Sequence, residues 1–415
     1  MSSFDLLSDD SIRDIALHLS LPEINYLGLT NSRFNRIICR DEGFWRLKFI
    51  YDFDFNPIDY RGSWLQLYQR YGNVWLYPTG RYEPVGSEQD KKIDKPTRIQ
   101  NINLLGKAKQ VSIGVTHTVL IDIHNNVWSW GSNKYGELGL GHTQDQSVPT
   151  KIPNFRAKQV SAGHYNTIII DLDNNVWVCG FNINGQLGLG DKSPRYVLTP
   201  IPNFRAKQVS TGRYHTLFID LENNVWVCGD NACGQLGLGD YQCRYIPTPI
   251  PDINLLGKAK QVAVGWGHTF IIDLNDNVWV CGWNSNGQLG LGDTLSRNKP
   301  TIISNINLLG KAKQISSGSD YTIILDRENN VWVCGNQEQA LIPIRIPNIK
   351  AKQVSWGPYQ IVIIDLDNNV WTCGRNDGGQ LGLGDNQNRQ VLTQISNIKA
   401  QQVSCGYYHT VIIEM

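Results

Sequence analysis

The sequence predicts an all-β seven-bladed propeller of four-stranded blades, with the C-terminal strands closing the first blade and a small all-α domain at the N-terminus. Three observations predict it. The tripeptide Asn-Val-Trp occurs seven times, ending at Trp75, Trp128, Trp177, Trp226, Trp279, Trp332 and Trp371, at intervals of 39 to 53 residues. A second motif, Ala-Lys-Gln or Ala-Gln-Gln, also occurs seven times, beginning at Ala108, Ala157, Ala206, Ala259, Ala312, Ala351 and Ala400. Between the two lie β-branched runs of four to six residues bounded by Gly, Asn or Asp, which is the chemistry of strands and turns rather than helices. Self-similarity at this period, in units of short strands, marks a propeller.

Bulk properties narrow the field. Lys and Arg number 38 against 37 Asp and Glu, a formal net charge of +1, so the chain lacks the basic surplus that drives non-specific nucleic-acid binding. No basic segment with an apolar core opens the sequence, and no run approaches the length of a membrane span. Five of the nine cysteines, Cys179, Cys228, Cys281, Cys334 and Cys373, occupy one repeat position just before a glycine. Equivalent positions of different blades lie far apart, so these thiols are expected to stay unpaired and the protein to be intracellular.

Residues 1–50 read as a three-helix domain. Ser8 before Asp9 and Asp10 is an N-cap with an acidic first turn, and Ile12, Ile15, Ala16 and Leu19 fall on one face. Ser20-Leu21-Pro22-Glu23 is a capping-box pattern that opens a second helix through Ile24, Leu27 and Leu29. A third apolar set, Phe34, Ile37 and Ile38, precedes Phe44-Trp45. Residues 51–72 form the connecting segment, too apolar for a flexible tether, and the propeller runs from 73 to 415.

Within a blade such as 157–190, the Asn174-Asn175 pair separates two strands and suits a tight hairpin with positive φ. Alternating strand direction puts the GxxH turns and the GxNxxGQLG loops on one face of the ring and the Asp-x-x-Asn-Asn hairpins on the other. The first face carries the positions that differ most between copies: Val115-Thr116, His164-Tyr165, Arg213-Tyr214, Trp266-Gly267, Ser319-Asp320, Pro358-Tyr359 and Tyr407-Tyr408. A repeating frame with varied loop tips is a display scaffold. The tryptophans of Asn-Val-Trp are expected to fill the space between blades. His117, His215, His268 and His409 share one repeat position with Asn166, Tyr321 and Gln360, which suits a structural hydrogen bond and not a metal site.

The two seven-fold motifs are offset. Asn73-Trp75 has no inner strands before it, and residues 402–413 have no Asn-Val-Trp after them. The C-terminal strands are therefore expected to complete the blade begun at Asn73, which removes open sheet edges. Two blades depart from the pattern, at 81–95 and at 336–340, where GQLGLG is missing.

The GxxHT turns at Gly114-Thr118, Gly212-Thr216, Gly265-Thr269 and Gly406-Thr410, with GxNxxGQLGLGD at Gly180-Asp191, Gly229-Asp240, Gly282-Asp293 and Gly374-Asp385, closely resemble the regulator of chromosome condensation repeat family. The resemblance implies a seven-bladed propeller with sequence-shifted closure. Family functions range from nucleotide exchange on the GTPase Ran, through ultraviolet-B reception, to plain protein binding, so fold does not decide function. The N-terminal unit resembles the F-box: Leu7 at its start, Ile12, Ile15 and Leu19 in the first helix, Leu27 and Leu29 in the second, Thr30-Asn31-Ser32-Arg33-Phe34 after it and Phe44-Trp45 at its end. Ser8 stands where that family usually has proline.

These resemblances imply a non-catalytic adaptor, the substrate-recognition subunit of a cullin-RING ubiquitin ligase. Its F-box would dock the Skp-type linker through Leu7, Ile12, Ile15 and Leu19, and its loop face would hold a target protein through Tyr165, Phe181, Tyr214, Trp266, Trp283, Tyr359 and Tyr407, expected as exposed aromatic anchors. No catalytic residues, metal or cofactor are expected, nor a membrane or nucleic-acid partner. The alternatives are a guanine nucleotide exchange factor for a small GTPase and a propeller scaffold with no ligase link.

Overall fold

A repeat folds as one antiparallel sheet because its turns leave the intervening runs no other partner. In the computed structural model, which describes residues 8–17, 19, 24, 34–42, 44–45, 63, 108–251, 258–303, 311–335, 340–406 and 409–414, the blade beginning at Ala157 pairs strand Gln146–Ala162 with Asn166–Asp171, then Asn175–Gly180, then Arg195–Arg205. Ile169 faces Trp177, and Trp177 faces Pro200. The hairpin turns on Asn174 at φ 71°, and Asn125, Asn223, Asp276, Asn329 and Asn368 take the same sign, as the Asn-Asn pairs predicted.

The repeated spacing within these hairpins has a polar cause. The Asp171 carboxylate accepts the backbone N–H groups of Asp173 at 2.9 Å and Asn175 at 2.8 Å, and the indole Nε1–H of Trp177 at 2.9 Å. Asp122, Asp220, Asp273, Asp326 and Asp365 hold their own tryptophans at 2.8–3.0 Å. Burial pushes the Asp171 carboxyl up, and the bonds from Trp177 and Asn175 outweigh it, leaving the group below the usual carboxylate range. Each tryptophan is thus both an apolar spacer and a clamp on its own turn.

The apolar cores lie between sheets. Val119, Ile121, Val127 and Ile152 bury against Ala157, Val160 and Ile169 of the next sheet, with Trp177 at the edge. Five further clusters repeat this pairing around the molecule. One more joins Val411 and Ile413 to Ala108, Val111 and Trp128, and Gln402 Oε1 accepts the Val111 N–H at 3.2 Å. The final described strands therefore pack against the first described sheet and the circle closes. Among the described residues, dividing the long shared strands between their two sheets gives six four-stranded sheets, and the last part of Arg389–Cys405 with Thr410–Glu414 supplies two strands of a further unit. Residues 73–77, expected to complete that unit, lie outside the described residues.

One feature departs from the expected four-to-six-residue strands. Gln146–Ala162, Ile344–Trp356 and Arg389–Cys405 each run from the outer edge of one sheet to the inner edge of the next. The bend occurs at asparagines with positive φ, Asn154 (53°), Asn348 (59°) and Asn397 (62°), with Asn203 (54°) in the same role. Asparagine tolerates this left-handed conformation better than other residues with a Cβ.

At the N-terminus, Ser8 Oγ accepts the Ser11 N–H at 3.1 Å and caps the helix Asp9–Leu17. Ile12, Ala16, Ile24, Phe34, Ile37, Ile38, Phe44 and Trp45 are all buried. Ile37 and Ile38 lie on a π-helical turn, Asn35–Cys39, and Arg13 bonds Asp41 across the unit at 2.8 Å. Ile12 was expected to dock a linker; at 1 % exposure it is core instead, because it faces this internal cluster. Ile15 is 40 % exposed and Leu19 half-buried. Leu7, Leu27 and Leu29 lie outside the described residues.

Candidate functional site

The inner strands converge on the loop face, where seven glycines form a closed circle. A methyl built on Gly114 would lie 2.4 Å from the Gly163 carbonyl oxygen, on Gly163 2.6 Å from that of Gly212, and on Gly212 2.4 Å from that of Gly265. The series continues through Gly265, Gly318, Gly357 and Gly406, whose methyl would meet Gly114 O at 2.7 Å. Backbones approach this closely only without a Cβ. Above the circle is a central depression of about 120 Å³, walled by Val115, His164, Arg213, Trp266, Ser319 and Pro358, one from each successive turn.

An aromatic arc runs outward from this mouth. The Arg213 guanidinium lies 4.6 Å from the Tyr214 ring centre and 4.1 Å from that of Trp266, a cation held between two π faces. Trp266 reaches Trp283 at 5.9 Å. On the other side His164 contacts Tyr214 at 6.1 Å and Tyr165 at 4.2 Å, and Tyr135 contacts Tyr165 at 5.1 Å and Phe181 at 4.9 Å. Burial, helped by the Arg213 charge, pushes the His164 imidazole down to about 4, so near neutral pH Arg213, not His164, carries the charge between Tyr214 and Trp266.

Five predicted anchors, Tyr165, Phe181, Tyr214, Trp266 and Trp283, are therefore brought together. They are half-buried, not exposed tips, because neighbouring rings, tilted or edge-on, and the Arg213 guanidinium cover one another. Tyr359 is exposed and stands apart under Arg375, 5.1 Å from its ring, while Tyr407 lies outside the described residues. Sequence reasoning placed Arg213 and His164 among the variable positions without assigning them to the site, and it missed Tyr135. The signal for Tyr135 was present, since it fills the last variable position of its GxNxxG loop, where other copies have Asn184, Cys233, Asn286 and Gly378.

The glycine-rich loops beside the arc are braces. Asn182 Nδ2–H donates to Asp191 O at 3.0 Å, Asn182 Oδ1 accepts Leu187 N–H at 2.9 Å, and Arg195 pairs with Asp191 at 2.5 Å. Leu187 is then fully buried between sheets. The repeated histidines are structural, as expected: His117 Nε2 bonds Thr167 Oγ1 of the next blade at 2.9 Å, and His215, His268 and His409 make the equivalent contact at 3.1, 3.5 and 3.3 Å. All nine cysteines are free thiols, and burial holds the Cys281 thiol up at about 12. No helix among the described residues is long and apolar enough to cross a membrane.

The geometry defines a propeller-like ring of four-stranded sheets with a loop face around a central depression. The chain belongs to the regulator of chromosome condensation (RCC1) repeat family, whose models match residues 124–170, 173–219, 222–272, 275–325 and 367–413 and, in a second form, 108–137, 157–186, 206–235, 259–288 and 312–339. It is 35 % identical over 88 residues to the human X-linked retinitis pigmentosa GTPase regulator, covering 21 % of this chain and 9 % of that protein. It is 38 % identical over 81 residues to the bovine secretion-regulating guanine nucleotide exchange factor, covering 19 % of this chain and 17 % of that protein. It is 34 % identical over 86 residues to the Arabidopsis thaliana ultraviolet-B receptor UVR8, covering 21 % and 19 %. The chain thus spans less than a fifth of the length of these relatives. Among solved structures, Prp20p from Saccharomyces cerevisiae, described with its binding to Gsp1p and histones, superposes with a TM-score of 0.73 at 21 % identity over 84 % of this chain and 94 % of that one. Human WBSCR16 gives 0.70 at 23 % identity over 82 % and 98 %.

Proposed function

We propose that the chain is a seven-bladed propeller whose loop face binds and regulates a small GTPase. The observation that carries this reading is the arc itself: Trp266, Tyr214 and Arg213, the residue types that dominate binding hot spots, cluster at the centre of a rigid ring. The partner class rests on the relatives named as a GTPase regulator and a guanine nucleotide exchange factor. The circle of seven glycines supports seven blades, with the strands around Asn73 completing the last. A stopped-flow measurement of fluorescent GDP release from a Ran-class GTPase tests the reading. The full chain should accelerate release at least about tenfold, and Trp266→Ala should remove most of that gain while raising Kd about tenfold or more. Intrinsic release rates at saturating chain, with no complex on a sizing column, would leave a scaffold without a GTPase.

A second reading, ligase adaptor, is favoured by one observation: Ile15 lies 40 % exposed on a helix whose Ile12 and Ala16 are buried. The domain boundaries at 50 and 72 belong to this reading. The intact chain should recover a Skp-type linker from a purified mixture, and Ile15→Asp should abolish recovery without altering the fold. Equal recovery with Ile15→Asp, or none with the parent chain, removes it. Ile12 is unsuitable for this test because charging a core position would unfold the unit.

A further inference from the structure

The central mouth is rich in hydrogen-bond donors and holds no acid. Among the described residues, the side chains lining it include no carboxylate. Among the described residues, Arg213 Nε, Trp266 Nε1 and Trp356 Nε1 are buried there without hydrogen-bond partners, and all three can donate but not accept. Trp356 is the most constrained. It is 8 % exposed, its ring stacks on Tyr321 at 4.8 Å, and its Nε1 lies 2.4 Å from where a methyl on the ring glycine Gly318 would sit. That places the N–H over the glycine circle. Every other inner-strand end has a smaller residue here, Ile113, Ala162, Thr211, Val264, Ser317 or Cys405, so this donor is peculiar to one blade.

Arg213 is equally distinctive. The repeating arginines Arg195, Arg244, Arg297 and Arg389 each neutralise an aspartate at 2.5–2.6 Å. Among the described residues Arg213 has no acidic partner and is instead clamped by the Tyr214 and Trp266 rings. A buried donor left unmatched is destabilising. Two such indole donors beside one unneutralised guanidinium make a pocket shaped by chemistry for an anionic acceptor. The depression of about 120 Å³ has room for several waters or one short side chain. A single cation with apolar walls suits a carboxylate better than a doubly charged phosphate, which gathers several cations.

We propose that the mouth receives the carboxylate of an acidic segment on a partner protein, with Arg213 supplying the charge and the Trp356 and Trp266 indoles the flanking donors. This deepens the reading of the loop face as a partner surface and rests on it. The probe is a fluorescein-labelled peptide, Gly-Ser-Asp-Glu-Asp-Glu-Ser-Gly, compared with its Asn/Gln isostere by anisotropy on the full chain. The acidic peptide should bind at least about tenfold tighter than the isostere. Arg213→Gln and Trp356→Phe, the latter keeping the ring and deleting only the donor, should each raise Kd about fivefold or more, with unchanged circular dichroism. Arg375→Gln, on the same face but paired with Asp377, should leave Kd within about twofold. Four results would overturn the proposal: undetectable binding, equal binding of the isostere, equal losses from Arg213→Gln and Arg375→Gln, or full competition by inorganic phosphate at the peptide's own concentration. Peptide binding without GTPase binding would sink the GTPase reading and spare this one; the reverse would do the opposite.

Discussion

Gly212→Ala is expected to cost about 3 kcal/mol or more of stability, whereas Gly267→Ala, one repeat on and two residues beyond a ring glycine, should be neutral or mildly stabilising. The difference is local geometry. A methyl on Gly212 would lie 2.4 Å from the Gly265 carbonyl oxygen and 2.5 Å from Val264 Cγ1, and the oxygen belongs to a backbone held by the whole circle. Overpacking against a fixed backbone forces strands apart, and a shift at one inner strand is passed to both neighbours. On Gly267 the methyl would meet Trp283 at 3.5 Å, an ordinary contact, and alanine also narrows the unfolded ensemble. Thermal unfolding checks this directly. The Gly212 variant should melt about 5 °C or more below the parent, and the Gly267 variant within about 2 °C of it. Equal melting of both would mean the circle is not a structural constraint.

That contrast also shows what the sequence could and could not reveal. Both glycines sit in a GxxH-type turn and look alike in one dimension. Only the circle, whose members are separated by roughly one repeat each, shows that one touches a neighbour's carbonyl and the other only the Trp283 side chain at ordinary contact distance. The Asn-Asn hairpins were legible because positive φ is a property of single residues. The same is true of the histidine row, where replacement by Asn166 and Gln360 already spoke for a hydrogen bond. The second set of left-handed asparagines, at Asn154, Asn203, Asn348 and Asn397, was hidden inside what reads as plain linker. The arc was legible as a set of aromatic types but not as an arrangement, because burial of Tyr165 or Trp266 depends on the ring beside it. Arg213 became distinctive only when its lack of an acidic partner could be compared with Arg195 and its equivalents. In the N-terminal unit, helical periodicity placed Ile12 and Ile15 together, and only packing separates core from surface there.

Acidification should unfold the propeller cooperatively, with a midpoint near pH 5. His117, His215 and His268 are fully buried, and burial pushes each imidazole from 6.5 to about 3; His164 and His409 fall to about 4. In the unfolded chain these groups take up protons below pH 6.5, while in the folded ring they stay neutral, so the unfolded state binds more protons and stability falls as pH falls. Glu137 acts in the opposite sense. It stands where other loops carry Gln186, Gln235, Gln288 and Gln380, and burial raises its carboxyl from 4.5 to about 7. A raised carboxyl stabilises the fold where it is protonated in both states, and that contribution is lost as pH climbs from 4.5 through 7. Between pH 4.5 and 6.5 the five histidines oppose one glutamate, each group worth at most about 1.4 kcal/mol per pH unit. The histidines win, with a net slope of up to about 5.6 kcal/mol per unit, and a domain stable by about 5–15 kcal/mol is exhausted within a few units. His268→Asn, which adopts the solution already present at Asn166, whose amide bonds Thr211 Oγ1 at 3.1 Å, should reduce the slope by about a quarter and move the midpoint to lower pH. Chemical denaturation at a series of pH values measures both quantities. A slope unchanged in His268→Asn, or stability that rises on acidification from pH 6.5 to 5, would show that the blade-to-blade imidazoles are not the groups that titrate.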